Sequence, residues 1–370
     1  MSAPVRRILV GVAILAVLAG LEYGFESLIE DSSIRQLLML AGIYVMVSVS
    51  LNVINGMAGQ FSIGHAGFVG VGAYASAVLA SHFGVWLDGD TSFQNSLFVV
   101  PACMFFGGGL AALFGFLVGL PSLRLRGDYL AIVTLGFAEI FRLSIAGARL
   151  DATSGLSGLL ASLGGQNGYT GVTGQGVPLF AGPFWVFGTA ILMTIATWRM
   201  KFSGWGRALR ALRADEIAAS SVGVDPTRYK VTSFVLAAFG AGIAGSLWAT
   251  MHDGLGLVQP DQFNFQFSFD AITMVILGGS GSVIGAVVGG LFVTFTVKVI
   301  ELAQGLEVVK DLQAAHPWLD LNALRMIIYA VVLIALMILR PEGLFGEREP
   351  FQKRRRVETS DAPSKARAAA

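Results

Sequence analysis

Residues 97–120 read LFVVPACMFFGGGLAALFGFLVGL and carry no charge at all. About 20 apolar residues in a helix span a hydrocarbon core of about 30 Å, so this stretch is long enough to cross a bilayer. Lipid offers backbone N–H and C=O groups no partner, and a segment inside it pairs them within itself by coiling into a helix. Composition extends that reading to the whole chain. It is 370 residues long, 54% hydrophobic and 13% charged, where a soluble domain carries about 25% charged residues. The expected fold class is an all-α polytopic membrane protein.

Working outward, apolar segments near 8–25, 36–54, 66–83, 97–120, 129–147, 184–198, 231–250, 271–277, 283–302 and 326–339 predict about ten transmembrane helices. The first follows Arg6 and Arg7 without a small-x-small cleavage pattern, and reads as a retained span rather than a signal peptide. Lys and Arg near span ends stay on the cytoplasmic side. Ten crossings put four basic clusters there together: Arg6 and Arg7, Arg124 and Arg126, Arg207 to Arg228 within 199–230, and the tail run 353–356. Both N- and C-termini are then cytoplasmic, provided segments eight and nine form a hairpin that turns at GGSGS, 278–282. Residues 1–346 form the transmembrane domain, and 347–370, charged and Ala-rich, form a disordered cytoplasmic tail whose basic run suits a lipid surface. The single cysteine, Cys103, excludes an intrachain disulfide, and a net charge of +1 excludes bulk attraction to nucleic acid.

Two stretches interrupt the apolar pattern. Residues 55–76 read NGMAGQFSIGHAGFVGVGAYAS, and there Gly64, Ala66, Gly70, Ala73 and Ala77 supply a small-residue face for close helix packing. Asn52, Asn55, Gln60, Ser62 and His65 cluster just before that face. Polar groups at membrane depth line a cavity or pair inside a bundle, and together with Thr134 of the fifth span they are the candidate translocation path. His65 has no acidic neighbour in sequence and reads as a hydrogen-bonded packing residue rather than a proton relay. Residues 269–290, FDAITMVILGGSGSVIGAVVGG, look alike, with Gly278, Gly279 and Gly281 at the turn. An internal pseudo-repeat, spans two to five against seven to ten, would account for the likeness. In the fifth span Glu139 and Arg142 stand three apart, the spacing of an intrahelical pair, late enough to lie near the membrane edge.

The cytoplasmic loop reads GRALRALRADEIAASSVGVDPTRYKVTSF over 206–234. Ala208, Leu209, Leu212, Ile217, Ala218 and Ala219 are expected on the apolar side of one short helix that Gly223 stops, with the next starting at Asp225-Pro226. Small residues anchor poorly in lipid and dock well in a protein groove. The chain has no G-x4-GK[ST] loop, no metal-ligand spacing among its four histidines, and no nucleophile beside a local base.

These residues resemble the LivM-type permease subunits of ABC importers for branched-chain amino acids. The resemblance covers roughly 36–346 and rests on five motifs in order: LNVINGMAGQFSIGHAGFVGVGAYA, RGDYLAIVTLGFAEIFRL, GRALRALRADEIAASSVGV, MVILGGSGSVIGAVVGG and RPEGLFG. It implies that 1–346 is a permease domain carrying branched-chain amino acids or a related small polar solute. It also implies that the loop at about 199–230 is a coupling segment similar to the EAA-x3-G element. Arg207, Arg210, Arg213, Asp215, Glu216, Ala218, Ala219 and Gly223 are its candidate ATPase-coupling residues, the glutamate standing one residue early as EIAASSVG. The resemblance further implies a LivH-type permease subunit as heterodimer partner and two cytoplasmic ABC ATPases that hold ATP and Mg. It adds a periplasmic or lipid-anchored substrate-binding protein and a place in the bacterial inner membrane. No cofactor or metal falls to this chain itself. Two other classes remain in view. A self-contained ion-coupled carrier or channel would need a buried carboxylate, for which Glu139 is the only candidate, and a membrane enzyme would need a catalytic constellation. Other amino acids, urea or short amides are alternative substrates, since TGVTGQG at 170–176 stands where the family tends to show TGG-x2-GL.

Overall fold

The computed structural model describes residues 3–122, 128–148, 160, 162–305, 331, 334, 338, 339, 343–346 and 349. The expected tenth span lies almost wholly outside the described residues, as do Arg124, Arg126 and, apart from Glu349, the tail 347–370. Among the described residues the apolar segments are helical, and the only strand-like pairings are two isolated bridges, Tyr169 with Val258 and Ala181 with Met251. In chain order the helices are α1 (Ala3–Leu28), α2 (Ser32–Asn52), α3 (His65–Trp86), α4 (Phe93–Ser122), α5 (Asp128–Ala146) and α6 (Pro183–Phe202). Then come α7 (Gly204–Ala214), α8 (Glu216–Ser221), α9 (Pro226–Thr250), α10 (Phe265–Gly278) and α11 (Val283–Gly305). Among the described residues five stretches are long and apolar enough to cross a membrane: Ser32–Met57, His65–Trp86, Phe93–Pro121, Tyr129–Ala146 and Pro226–Thr250. The short eighth segment expected at 271–277 is longer. α10 starts at Phe265, where the Asn264 side chain accepts from Phe267 N–H at 3.1 Å, so a cap hidden among polar residues extends the helix.

Helix α9 packs most closely against α3 and α4, while α11 lies on α2 and α10, and α6 links α1 to α2. Hydrophobic driving force is weak between helices in lipid, and contact area comes from small residues that let backbones approach. Glycines do this here. A Cβ on Gly72 would collide with the Gly242 carbonyl, and one on Gly242 would come within 2.6 Å of Ala111 Cβ, 2.7 Å of Gly107 O and 2.8 Å of Gly108 Cα. Beside this crossing Ser76 Oγ lies 2.7 Å from Ser246 Oγ and 2.8 Å from Cys103 O, so a buried polar knot joins α3, α4 and α9. The expected small face of α3 is buried, with Ala66, Ala73 and Ala77 fully enclosed. Close approach also uses Gly72, off the expected row, and Gly70 instead sits beneath the rings of Phe141 and Phe263. On the outside, Phe98, Phe105, Phe106, Leu117, Ile132 and Ile140 are exposed, as a lipid solvent allows.

One end of the bundle is fixed by polar contacts. At the start of α2, Arg35 grips Asp253 with Nε to Oδ2 at 2.9 Å and Nη2 to Oδ1 at 3.0 Å. At the end of α5, Arg142 pairs with Glu139 and with Asp261, both at 2.9 Å. The 21 residues of α2 carry the chain about 30 Å to the opposite end, where Asn52 begins the candidate site.

The glycine crossing yields a clean contrast. Gly242→Val should strain a well-packed contact by about 1–3 kcal/mol, lowering the melting temperature and membrane level of the protein. Gly109→Ala, on the same bundle but with nothing within 4 Å of the new methyl, should leave both unchanged. Thermal melts of the purified variants decide between a packing role confined to the crossing and a general sensitivity of α4 and α9.

Candidate functional site

Helix α2 does not stop at Asn52 but loosens into a π turn, Val53–Met57, in which Ala58 N–H reaches back to Val53 O at 3.1 Å. Wider turns of this kind mark places where a helix is interrupted for a purpose other than packing. Residues 58–64 are then non-helical, with Gly59 at φ +68°, before α3 begins at His65. The second interruption, between α10 and α11, turns through Gly279 and Gly281 at φ +116° and +93°. Non-helical backbone at membrane depth exposes N–H and C=O groups that must find side-chain partners.

The polar residues singled out in the sequence meet that need. Asn52 Nδ2 donates to Ser282 O at 3.0 Å and its Oδ1 accepts from Gly281 N–H at 2.9 Å, so one amide clamps the second break from the first. Asn55 closes its own break: its Oδ1 accepts from Ser62 N–H at 3.1 Å and its Nδ2 donates to Ser62 O at 3.4 Å. Thr134 Oγ1 accepts from Ile63 N–H at 3.2 Å, and Ser268 Oγ accepts from Ala66 N–H at 3.3 Å. The two breaks touch directly, because a Cβ on Gly56 would run into Asn52 and the Gly281 backbone. Gly64 presses on Thr134 O and Gly278 on Gly285 O, while Gly279 lies against Gly343, so these glycines are contact points as well as turns.

Three of the expected path residues keep an unpaired buried atom. Gln60 Oε1, Ser62 Oγ and His65 Nδ1 have no hydrogen-bond partner among the described residues. Ser50 Oγ donates to Val47 O at 2.9 Å and therefore accepts from His65 Nε2, also at 2.9 Å. That arrangement sets the Nε2–H tautomer and leaves Nδ1 a bare acceptor. Ser50 and Ser268 were not legible as site residues, although Ser50 stands two before Asn52 and the i, i+4 pair Asn52 and Gly56 shares a helix face.

The loop departs from expectation. It is not one helix: α7 ends at Ala214, Asp215 adopts φ −157° and ψ 114°, and its carboxylate accepts from Ile217 and Ala218 N–H at 2.8 and 3.0 Å to start α8. An aspartate that caps the next helix breaks the preceding one. The apolar side is consequently split. Leu209, Leu212 and Ala219 face the body, whereas Ile217 and Val222 are 82% and 78% exposed and Ala218 is exposed beside them. Glu216 pairs with Lys230 at 2.7 Å. Gly223 has φ +91° with open space around it, and Asp225 caps α9 through Arg228 N–H at 3.3 Å. Arg207 and Arg210 return to backbone carbonyls of Phe202, Lys201 and Gly206. Arg213 behaves differently. Its Nη1 donates to Gly56 O, its stem crosses Gly59, where a Cβ would stand 2.6 Å from Arg213 Cγ, and the same Nη1 would lie 3.0 Å from a Cβ on Gly281. A loop residue thus rests on both breaks at once.

The amide clamp makes a direct prediction. Asn52→Ala leaves the Gly281 N–H and Ser282 C=O without their partner, each such loss costing about 1–3 kcal/mol. Amide exchange at Gly281 should accelerate and the melting temperature should fall; unchanged exchange would show that the breaks hold together without Asn52.

The family model described as "Branched-chain amino acid transport system / permease component" matches residues 33–337. The high-affinity branched-chain amino acid transport system permease protein LivM of Escherichia coli is 31% identical over 335 residues, 85% of this chain and 70% of that protein. A probable branched-chain amino acid transport permease protein LivM of Methanocaldococcus jannaschii is 25% identical over 356 residues, 88% of this chain and 98% of that one. The LivH permease protein of Escherichia coli matches a shorter region, 28% identical over 161 residues, 44% of this chain and 46% of its own. No solved structure matches.

Proposed function

The chain belongs to the family of branched-chain amino acid transport system permease components, and from that premise we propose that its two helix breaks form the cytoplasmic gate of an ATP-driven importer. The loop that rests on them is the coupling device. The observation that carries this reading is Arg213, which ties the loop to Gly56 O in the first break and lies over Gly281 in the second. Beyond it, the exposed apolar pair Ile217 and Val222 with Ala218 suits the groove of a partner protein. We assign that partner as a cytoplasmic ABC ATPase, present twice and holding ATP and Mg. This chain is then a transport subunit without a catalytic role.

The rest of the assembly follows the same premise. A LivH-type permease completes the path as a heterodimer, in keeping with similarity of this chain to both LivM and LivH proteins, and a periplasmic or lipid-anchored binding protein delivers the solute. The membrane is the bacterial cytoplasmic one, crossed about ten times with both termini inside. Residues 1–346 are the permease domain, 199–230 its coupling loop and 347–370 its tail. The basic loop places the break end in the cytoplasm, so the Arg35–Asp253 and Arg142–Asp261 pairs face outward. An internal repeat offset by five spans reverses direction, and it cannot relate two breaks that meet at one end; their likeness is a local one, two glycine-rich hairpins with the same packing need. The ion-coupled alternative loses support because Glu139 is engaged by Arg142 at 2.9 Å, next to Asp261 at the end of the bundle.

Branched-chain amino acids are the favoured substrates, ahead of other amino acids, urea or short amides. Gln60 Oε1, Ser62 Oγ and His65 Nδ1 are the acceptors offered to the solute or its water, since a vacant buried acceptor otherwise costs about 1–3 kcal/mol. Gln60→Leu should assemble with the ATPase while uptake falls or its substrate preference shifts. Gly70→Leu, beneath two aromatic rings, should reduce assembly itself. Copurification and uptake in the same cells separate the two, and normal uptake by Gln60→Leu would remove Gln60 from the path.

For coupling, Gly223→Val places a β-branched residue at φ +91°, a conformation that costs L-residues about 1–2 kcal/mol, without any clash. Stimulation of ATP hydrolysis by loaded binding protein should drop while the membrane level holds. Full stimulation in reconstituted vesicles would argue against docking at α8.

A further inference from the structure

Near the second break the described residues of the C-terminal segment, 343–346 and 349, are packed into the bundle. Leu344 and Phe345 N–H donate to Leu277 and Gly278 O at 3.1 and 3.2 Å, which satisfies carbonyls at the end of α10 that the helix itself leaves open. Glu349 is buried, and its carboxylate accepts from four donors. Val283 N–H reaches Oε1 at 2.8 Å, Ser282 Oγ reaches Oε2 at 3.2 Å, Ile284 N–H reaches Oε2 at 3.5 Å, and Lys201 Nζ closes a buried ion pair. The first three donors are the start of α11, a ready anion site at a helix N-terminus. The fourth comes from the last turn of α6, two residues before Ser203 caps the coupling helix α7. Arg210 of α7 also donates to Lys201 O at 3.4 Å.

We propose that Glu349 is a positioning residue that latches the gate: its carboxylate holds the Gly279–Ser282 turn shut and reports the position of the coupling helix to that turn through Lys201. This rests on the reading of the breaks as a cytoplasmic gate and adds to it a third element, the C-terminal segment. A single carboxylate is shared between an ammonium on α6 and backbone N–H groups on α11. Any movement of α6 with α7 relative to α11 must lengthen one set of bonds, and the turn between α10 and α11 then loses a hold that Asn52 alone does not replace. Neutralising Glu349 removes the negative charge that the Lys201 ammonium and the start of α11 both face, which favours arrangements in which these bonds open and water enters. Because backbone N–H groups demand an acceptor, exchanging the two charges does not rebuild the latch.

The test uses the assembled importer in nanodiscs. Ser280→Cys places a thiol in the turn, and the native Cys103 is buried, so a membrane-impermeant maleimide reports the turn. In that background Glu349→Gln should raise the labelling rate about tenfold, from an open population of about 1% to about 10%. ATP hydrolysis without binding protein should rise, and the yield of assembled complex should hold. The exchanged pair Lys201→Glu with Glu349→Lys should label as fast as Glu349→Gln. Should Glu349→Gln fail to assemble, Lys201→Met with Glu349→Gln removes both charges together and must then assemble and label fast. Slow labelling in whichever variant assembles, or slow labelling restored by the exchanged pair, overturns the latch. Loss of uptake in Gln60→Leu is independent of these outcomes, so the path reading stands or falls separately.

Discussion

A backbone buried away from water must hydrogen-bond within its own chain, and this protein breaks its helices twice among buried residues. Each break exposes groups that regular coiling would have paired. The repair comes from side chains on other elements: Asn52 serves Gly281 and Ser282, Asn55 serves Ser62, Thr134 serves Ile63 and Ser268 serves Ala66. Four short polar residues therefore decide how α2, α3, α5, α10 and α11 sit relative to one another. Since buried acceptors and donors left open are expensive, the arrangement cannot drift by small steps; it is held or it is exchanged for another that satisfies the same groups.

Close packing makes this repair geometrically possible. Asn52 reaches Gly281 only because Gly56, one turn along, has no side chain to keep the breaks apart. The same economy of volume operates at Gly72, Gly107 and Gly242, where three helices meet around the Ser76–Ser246 pair. Small residues in this chain thus do two jobs that sequence patterning does not separate. They bring helices together for dispersion contact, and they bring polar side chains within reach of broken backbone.

Composition and charge order made the membrane class and most helices legible, because span length and apolar content are fixed by lipid rather than by tertiary detail. The polar cluster at 52–65 stood out for the same reason. What stayed hidden was the direction of individual side chains. Asn52 and Asn55 had the chemistry of a path, yet their amides are engaged with backbone at positions as far as 230 residues away. Arg213 looked like its neighbours Arg207 and Arg210, and only the fold brings its guanidinium to Gly56 O. Periodicity predicts one helix for the loop because it weighs Ile217 by its apolarity, whereas Asp215 acts as a cap for α8 and rotates the following residues outward. Glu349 gave no signal, being one carboxylate in a charged run whose partner on α6 lies 148 residues earlier.

These connections also limit how the proposed coupling loop can work. A hydrogen bond from a charged donor such as that of Arg213 contributes about 1.5–3 kcal/mol net, while carrying a gate from 1:99 to 99:1 requires a differential of about 5.5 kcal/mol. That one bond is too weak to drive the change. The loop must move several contacts in concert, and the structure supplies the means, since the turn it overlies is also bonded to Asn52 on one side and to α6 through Glu349 and Lys201 on the other. A push on α7 strains all of them together. On the proposed reading as a gate, their summed preference, rather than any one bond, gives the two breaks an arrangement firm enough to resist leakage and brittle enough to be released by a partner acting on a short helix.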